Sequence, residues 1–252
     1  MIDLHCHILP GLDDGARDLE TALEMARVAV ADGITDVVAT PHAADGLYRT
    51  DAASIRVAVA AFRTALATAG LPLRVHMGSE IHVHPELVRN VEAGRLLTVN
   101  DAGRYLLLEL PVTSIPPYFA DLLHELRTKG LTPILAHPER HAVLRDDLDR
   151  IAAWVEDGML VQLTASSLLG GMGRRAKASA ETMVRRRIVH LVASDGHSPA
   201  RRPPQIRAAH DALLRLDPRS AARISQNAVS VLAGEPCDVP EPVRKKRRWW
   251  LY

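Results

Sequence analysis

The chain has 252 residues, with 31 Lys and Arg against 30 Asp and Glu, so its formal net charge is only +1. This balance argues against bulk attraction to nucleic acid, and no window approaches the roughly 18 apolar residues of a membrane span. The length suits one large α/β barrel or two small domains. Because Cys6 and Cys237 are far apart and the first residues do not resemble an export signal, we expect a reduced, cytoplasmic protein.

The predicted elements begin with a strand that ends in His5-Cys6-His7. A loop containing Asp13-Asp14-Gly15 follows, and then a helix with Asp18 as N-cap and its end at Gly33. Six further apolar runs alternate with amphipathic segments, which lie around residues 52 to 69, 117 to 129, 147 to 157 and 176 to 187. Seven strands that alternate with helices predict parallel pairing.

Side chains that bind metals follow nearly every predicted strand. These candidates are His5, His7, Asp14, His42, Glu80, Glu109, His137, Asp195 and His197. An open sheet would spread them along a line, whereas the strand ends of a barrel converge on one axis. We therefore predict an α/β fold consisting of one seven-stranded, TIM-like (β/α)7 barrel over residues 1 to 234.

Five imidazoles and four carboxylates are too many ligands for one ion. Catalytic metals take roughly three to four protein ligands each, so the set suits two or three divalent ions that share a water. Such ions favour hydrolysis of a phosphoester. Two readings stay open at single positions, since Asp14 could only shape its turn and Glu109 could pair with an arginine. Cys6 faces the other side of its strand, which predicts packing rather than catalysis.

Several motifs resemble the polymerase and histidinol phosphatase (PHP) superfamily, whose barrel is a distorted seven-stranded one. More narrowly, they look like the bacterial manganese-dependent protein tyrosine phosphatases of capsule and exopolysaccharide clusters. The segments that carry the resemblance are MIDLHCHILPGLDDGARDLE at the start, TPH at 40 to 42, GSEI at 78 to 81, AHPER at 136 to 140 and VASDGH at 192 to 197.

The resemblance implies that the nine candidate residues hold the metals, with Mn²⁺ first and Fe or Zn also accepted. It implies that Arg140 and Arg202 hold the substrate phosphate, although Arg201 is an equal candidate to Arg202. The expected reaction is attack of a metal-bound hydroxide on a phosphotyrosine. The expected substrate is the tyrosine-rich tail of a kinase that governs polysaccharide synthesis.

Two other functions remain open. The resemblance leads us to expect basic residues after His42, but the segment His42-Ala43-Ala44-Asp45-Gly46 contains none. A small-molecule phosphatase of the histidinol-phosphate type, or another PHP phosphoesterase, is therefore the alternative function. A non-catalytic regulatory barrel is the least favoured. The remaining histidines are predicted to be non-ligands: His76, His82, His84, His124, His141, His190 and His210.

Two segments lie outside this scheme. We expect a mobile, glycine-rich loop from Ser166 to Gly173 at the rim. Residues 235 to 252 are predicted to form a disordered tail. Its basic cluster, Arg244 to Arg248, with Trp249 and Trp250 favours weak contact with the inner membrane surface over any specific nucleic acid. The oligomeric state stays open.

Overall fold

The structure is a computed structural model that describes residues 1–43, 46, 48 and 50–243. Within these ranges, strands alternate with helices along the whole chain. The strands are β1 Ile2–Cys6, β2 Asp36–Ala39, β3 His42–Ala43, β4 Arg74–Met77, β5 Glu80–His82, β6 Tyr105–Glu109, β7 Thr132–Ala136, β8 Leu160–Thr164 and β9 Leu191–Ala193. The helices are α1 Leu19–Asp32, α2 Ala52–Thr68, α3 Leu87–Glu92, α4 Phe119–Thr128, α5 Leu148–Glu156, α6 Ala165–Leu169, α7 Arg174–Arg185, α8 Arg207–Leu216 and α9 Pro218–Ala233.

The strands form two parallel sheets, ordered β1-β2-β4 and β3-β5-β6-β7-β8-β9. Only Thr40 and Pro41 separate β2 from β3, and only Gly78 and Ser79 separate β4 from β5. Pro41 has no N–H to donate to a ladder, which favours a break at this point. The second and third predicted strands are therefore each followed at once by a short strand of the other sheet, and the described residues contain nine strand segments where the sequence predicts seven strands.

Backbone contacts join the first strand to the segment after the last one. The Asp195 N–H donates to the His5 carbonyl at 2.9 Å, and the His7 N–H donates to the Gly196 carbonyl at 2.8 Å. Cys6 and Gly196 form a parallel bridge. Together these contacts bring the two ends of the strand sequence side by side.

Most of the strands are buried on both faces because helices cover the outside. The main core joins buried residues of the strands to buried residues of the surrounding helices, and a smaller cluster joins Leu107, Ile134 and Leu160 to Ala228 and Val231 of α9. This arrangement is the one expected for parallel strands that alternate with helices. None of the helices in the described ranges is both long and apolar enough to cross a membrane.

Local signals set the helix ends as predicted for α1. The Asp18 carboxylate accepts a hydrogen bond from the Thr21 N–H at 2.8 Å, which satisfies one free donor of the first turn. Gly33 ends the helix with φ of 89°, a left-handed conformation that glycine adopts without strain. The predicted start and end of this helix are confirmed, and α9 likewise ends at Gly234.

The segment after β8 differs from the expected loop. Residues Ala165–Leu169 form the short helix α6, and Gly170 ends it with φ of 91°. Ala165 and Leu168 are buried in the main core, so apolar packing holds a segment whose serines and glycines predicted a loop. The prediction of a loop was wrong for residues 166 to 169.

The segment after α9 also differs from the expected disordered tail over residues 235 to 243. The Asp238 N–H donates to Asn227 Oδ1 at 2.8 Å, the Tyr105 hydroxyl donates to the Glu235 carbonyl at 2.6 Å, and the Val243 N–H donates to the Arg186 carbonyl at 2.8 Å. These residues have no regular secondary structure but are tied to the body of the protein. The predicted membrane contact of Arg244 to Arg248 with Trp249 and Trp250 lies outside the described residues.

Candidate metal centre

All nine predicted ligands lie together in one cluster, to which β1, β3, β5 and β6 and the segments after β1, β7 and β9 contribute. They fall into four overlapping groups, and within each group the potential ligand atoms lie within 4.8 Å of one another. The groups are His7, Asp14, His42 and His197; His5, His7 and Glu80; His5, His137 and Asp195; and His42, Glu80 and Glu109. The predicted residues thus lie close enough together to share ions, and their role as metal ligands stays a prediction.

The most buried part of the cluster contains His5, His7 and Glu80. The two Nε2 atoms are 3.1 Å apart, and each lies 3.2 Å from Glu80 Oε2. All three side chains are almost completely shielded from solvent. Converging, buried acceptors of this kind require a cation or protons between them, because unpaired lone pairs and charges are costly to bury.

Groups behind the imidazoles determine which nitrogen faces the cluster. Gln162 Nε2 donates to the Leu163 carbonyl, so Gln162 Oε1 faces His5 and accepts from its Nδ1 at 2.9 Å. Asp13 Oδ2 lies 2.6 Å from Nδ1 of His7 and accepts its proton. In both rings Nδ1 is bonded away from the cluster, so Nε2 is the nitrogen that faces it and would bind an ion in exchange for any proton it carries. Metal-binding histidines in proteins are usually oriented in this way.

His197 follows the same rule at the outer side of the cluster. Its Nδ1 donates to the Asp195 carbonyl at 2.9 Å, and its Nε2 lies 3.4 Å from Asp14 Oδ1. His42 Nε2 lies 3.6 Å from that same Asp14 oxygen. Asp14 is thus part of the cluster and does more than shape its turn.

Glu80 lies at the centre of the set. Its Oε1 is 2.9 Å from His137 Nε2, while its Oε2 is 3.3 Å from His42 Nδ1. Glu109 approaches the same two imidazoles, with Oε2 3.6 Å from His42 and Oε1 3.7 Å from His137. Glu80 therefore belongs to two of the four groups and contacts an imidazole of each of the other two, which suits a carboxylate that bridges ions.

The electrostatics of the cluster also favour cations. Burial alone would raise the pKa of the Glu80 carboxyl, but His5 and His137 hold it well below its ordinary range. Burial would lower the pKa of His7, but hydrogen bonds with Asp13 and Glu80 raise it well above its ordinary value. The carboxylates thus stay ionised and attract positive charge, which is the environment a divalent ion needs. The residues present fit a centre for divalent ions.

The backbone turns sharply at two of the predicted ligands. His137 has φ of 35° and Asp195 has φ of 52°, both in the left-handed region that ordinary residues seldom adopt. Each residue still donates its N–H to the neighbouring strand, His137 to the Gln162 carbonyl and Asp195 to the His5 carbonyl. A hydrogen bond to a neighbouring strand therefore holds the unusual backbone at each of these two residues, as is common at functional sites.

Two arginines contact Asp195 from outside the cluster. A guanidinium nitrogen of Arg140 donates to Asp195 Oδ2, and Arg202 donates to the same oxygen at 2.5 Å. Both side chains remain partly open to solvent, with exposed fractions of 31% and 28%. Arg201 is exposed, so the structure favours Arg202 over its neighbour. Two guanidinium groups at the edge of a metal cluster suit the oxygens of a phosphate.

Comparison with known proteins places the chain in a family. The family described as "Capsular polysaccharide synthesis, CpsB/CapC" matches residues 1–233. The chain belongs to the CpsB/CapC family. Among curated relatives, the tyrosine-protein phosphatase YwqE of Bacillus subtilis is 39% identical over 198 residues, which cover 79% of this chain and 78% of YwqE. The putative tyrosine-protein phosphatase CapC of Staphylococcus aureus is 31% identical, with 99% of each chain covered.

Solved structures agree with this CpsB/CapC assignment. A chain from the crystal structures of YwqE from Bacillus subtilis and CpsB from Streptococcus pneumoniae, described as unique metal-dependent tyrosine phosphatases, superposes with a TM-score of 0.92 at 35% identity. The match covers 97% of this chain and 100% of that one. A probable 2-pyrone-4,6-dicarboxylic acid hydrolase from Acinetobacter baumannii, at 12% identity and a TM-score of 0.53, shares the fold alone.

The other histidines of this CpsB/CapC chain lie outside the four groups. His82 comes nearest, with Nδ1 3.6 Å from Glu109 Oε2. His76 instead lies 2.9 Å from Asp36, and His210 bonds to Ser225 at 2.8 Å. Cys6 is buried, and burial raises the pKa of its thiol well above the ordinary value. A thiol that stays protonated is a poor nucleophile, which supports the predicted packing role.

Two side chains that orient the imidazoles are absent from the sequence prediction. Asp13 precedes the predicted ligand Asp14, and Gln162 is the one amide side chain in the fully buried strand β8. An isolated amide in a fully buried strand needs a partner, since unsatisfied polar groups are costly to bury. That rule could have drawn attention to Gln162 before the structure was known.

Proposed function

We propose that this chain is a metal-dependent protein-tyrosine phosphatase that hydrolyses phosphotyrosine on a bacterial tyrosine kinase of capsular or exopolysaccharide synthesis. The observation that carries the proposal is the cluster of nine oxygen and nitrogen ligands with two arginines at its edge. The names of the relatives in the family supply the substrate class.

The nine clustered residues would hold two or three divalent ions, and Mn²⁺ is the ion we propose first. When bound, such ions lower the pKa of a coordinated water and neutralise charge on phosphate oxygens. The four groups share His5, His7, His42 and Glu80 pairwise, and this overlap supports a multinuclear site. Iron and zinc also accept this mixture of imidazole and carboxylate.

The two arginines would bind the phosphate of the substrate. Arg140 and Arg202 both pair with Asp195 Oδ2 and keep part of their guanidinium groups accessible. Each guanidinium offers several donors in a plane, which matches the oxygens of a phosphate and stabilises negative charge that develops on them. A phenolate is a good leaving group, so no side chain is assigned as its acid.

The site geometry also supports a specific architecture. We propose that the two sheets form one distorted (β/α)7 barrel, in which β2 with β3 and β4 with β5 each count as one interrupted strand. The hydrogen bonds between the end of β1 and the segment after β9 support closure between the first and last strands. A closed arrangement explains why ligands from strands far apart in sequence meet around one axis.

The proposed substrate also suggests where in the cell the enzyme acts. Each basic residue near an anionic membrane surface contributes about 1 kcal/mol of binding free energy, so the basic tail would hold a cytoplasmic enzyme at the inner membrane surface. There the enzyme would lie near a membrane kinase. An oligomer is compatible with this proposal but is not required by it.

The deciding experiment compares three substrates with and without metal. Phosphate release is measured from a phosphotyrosine peptide, histidinol phosphate and a nucleoside monophosphate, in Mn²⁺ and in chelator. We expect the peptide to react fastest and only with metal. His42→Ala and His197→Ala should lose turnover while His210→Ala, a matched histidine outside the centre, keeps it. Phosphate release in the presence of chelator would contradict the metal mechanism. A preference for histidinol phosphate would contradict the assignment of phosphotyrosine as the substrate.

A further inference from the structure

A cavity of about 170 Å³ lies beside the metal centre, between the segments that follow β6 and β7. Its apolar wall contains Leu110, Val112, Leu135 and Leu144. Glu109, His137 and Arg140 line the cavity as well, and these three also belong to the metal cluster or its edge. The cavity is therefore apolar over most of its wall and shares its polar lining with the centre.

We infer that this cavity receives the aromatic ring of the substrate and selects aryl over alkyl phosphates. The inference rests on the proposed phosphatase function and adds the place where the tyrosine ring binds. An apolar protein cavity of about 150 Å³ is large enough to hold benzene. A cavity of 170 Å³ therefore matches one phenol ring, while Arg140 at its lining is placed to bind the attached phosphate.

The walls of the cavity are fixed to each other by hydrogen bonds. The Ala142 N–H donates to the Val112 carbonyl at 2.9 Å, so the segment after β7 is tied to the segment after β6. His141 adds a second link, because its Nε2 lies 3.1 Å from the Ser114 carbonyl. The cavity is thus formed before any ligand arrives, and binding a ring requires little ordering.

The tautomer of His141 follows from its partners. Nδ1 accepts hydrogen bonds from the Val143 N–H at 3.1 Å and the Leu144 N–H at 3.2 Å, so the proton is on Nε2 and is donated to Ser114. Both ring nitrogens are used by the backbone. His141 is therefore a positioning residue that holds the two walls of the cavity, which explains a buried histidine that the metal cluster does not use.

The test measures binding of two phosphonates that differ only in the ring. Phenylphosphonate and methylphosphonate carry the same anionic group and resist hydrolysis, so calorimetry on the Mn²⁺-loaded full chain reports affinity without turnover. We expect phenylphosphonate to bind about tenfold or more tighter, a typical preference for filling an apolar pocket. Equal affinities for the two ligands would overturn the inference.

Val112→Asp gives the matching variant. Val112 is 66% exposed at the rim, so a charge there leaves the core intact, and any repulsion of the phosphonate acts on both ligands and cancels in the ratio. We expect the ring preference to fall about fivefold to tenfold. The control is Val57→Asp on α2, which is 70% exposed and does not line the cavity. It should keep the wild-type ratio.

The outcomes separate the two proposals. An unchanged ring preference in Val112→Asp overturns the cavity inference even if the phosphotyrosine peptide is hydrolysed normally. Failure to hydrolyse the peptide, with the ring preference present in the wild type and lost in Val112→Asp, overturns the proposed function alone.

Discussion

Asp13 is the residue that connects several parts of the metal centre. Its carboxylate accepts from Nδ1 of His7 at 2.6 Å, from the His42 N–H at 2.9 Å and from the Gly15 N–H at 2.9 Å. Burial would raise its pKa, but the hydrogen bond from His7 and the charge of that ring lower it overall. An ionised Asp13 therefore orients one ligand ring and fixes the backbone of a second ligand.

We expect Asp13→Asn to weaken binding of Mn²⁺ by about 10-fold to 100-fold, as is typical when a group behind a ligand histidine is changed. The amide keeps the shape of the side chain but removes the negative charge that holds the His7 proton. The measurement is calorimetric titration of Mn²⁺ into chelator-treated protein, with circular dichroism to check the fold. Asp18→Asn, which changes an exposed cap of α1, is the control. Equal Mn²⁺ affinity in Asp13→Asn and wild type would contradict this role.

Some residues of the candidate site could be predicted from the sequence and others could not. The nine clustered positions were predictable because polar side chains at the ends of apolar strands share one end of the fold. The choice between Arg201 and Arg202 was not predictable, since neighbouring residues of a loop point in different directions that only the chain path determines. Asp13 was missed for a similar reason, because the orientation of the His7 ring decides which aspartate lies behind it.

The loop between β1 and α1 is the element that delivers Asp13 and Asp14. It packs directly on the end of β1, where the Ala16 N–H donates to the His7 carbonyl at 3.0 Å. A Cβ on Gly15 would lie 2.1 Å from that carbonyl oxygen and 2.5 Å from the His7 Cβ. Only glycine permits this close approach, because a packed interior cannot absorb such an overlap.

Gly15→Ala should therefore move the loop away from β1 and lower both Mn²⁺ affinity and phosphatase activity by at least about 10-fold, comparable with loss of a group behind a ligand. Metal titration and phosphate release measure the two effects. Gly70→Ala is the matched control: Gly70 has φ of 66° but no atom within 4 Å of a Cβ. It should cost about 1 kcal/mol of stability and leave the metal affinity unchanged. Wild-type affinity in Gly15→Ala would show that the loop adapts.

At the level of elements, the helices with strong end signals were predicted well. Asp18 and Gly33 mark α1, and the predicted segments at 117 to 129 and 147 to 157 contain α4 and α5. The short strands β3 and β5 were not predicted, because each has only two or three residues and follows directly after a longer apolar run. Helix α6 was missed since it spans only five residues and depends on tertiary packing.

The pH dependence of stability is a property of the whole molecule, and one buried histidine contributes to it. His190 accepts from the Val161 N–H through Nδ1, and its carbonyl accepts from Asn227 of α9. Burial lowers the pKa of its ring to about 3. The folded protein therefore keeps His190 neutral at pH values where the unfolded chain protonates it.

The sign follows from the protons bound in each state. Between the unfolded value near 6.5 and the folded value near 3, the unfolded chain binds more protons, so stability falls as the pH falls. Below pH 6 the free energy of unfolding of wild type should fall by up to about 1.4 kcal/mol per pH unit more than that of His190→Asn. Urea unfolding of chelator-treated protein at pH 4 to 7 measures the difference, and parallel stability curves would refute it.

Asp3 has the opposite effect on the pH dependence of stability, and it is present in both wild type and His190→Asn. Burial raises the pKa of its carboxyl to about 6 despite hydrogen bonds from Ser194. The folded state then binds more protons between about pH 4 and 6, so this group favours the fold as the pH falls. Because wild type and His190→Asn share Asp3, its contribution cancels in their difference.

The contact between the first strand and the segment after the last one also limits when the protein can acquire metal during its synthesis. Cys6 and Gly196 are 190 residues apart in the chain, yet ligands on both sides of this contact belong to the same centre. At about 5 to 20 residues per second, a ribosome needs about 10 to 40 s to make the intervening segment. The early histidines leave the ribosome long before their late partners, so loading of the complete centre must follow translation of Asp195 and His197.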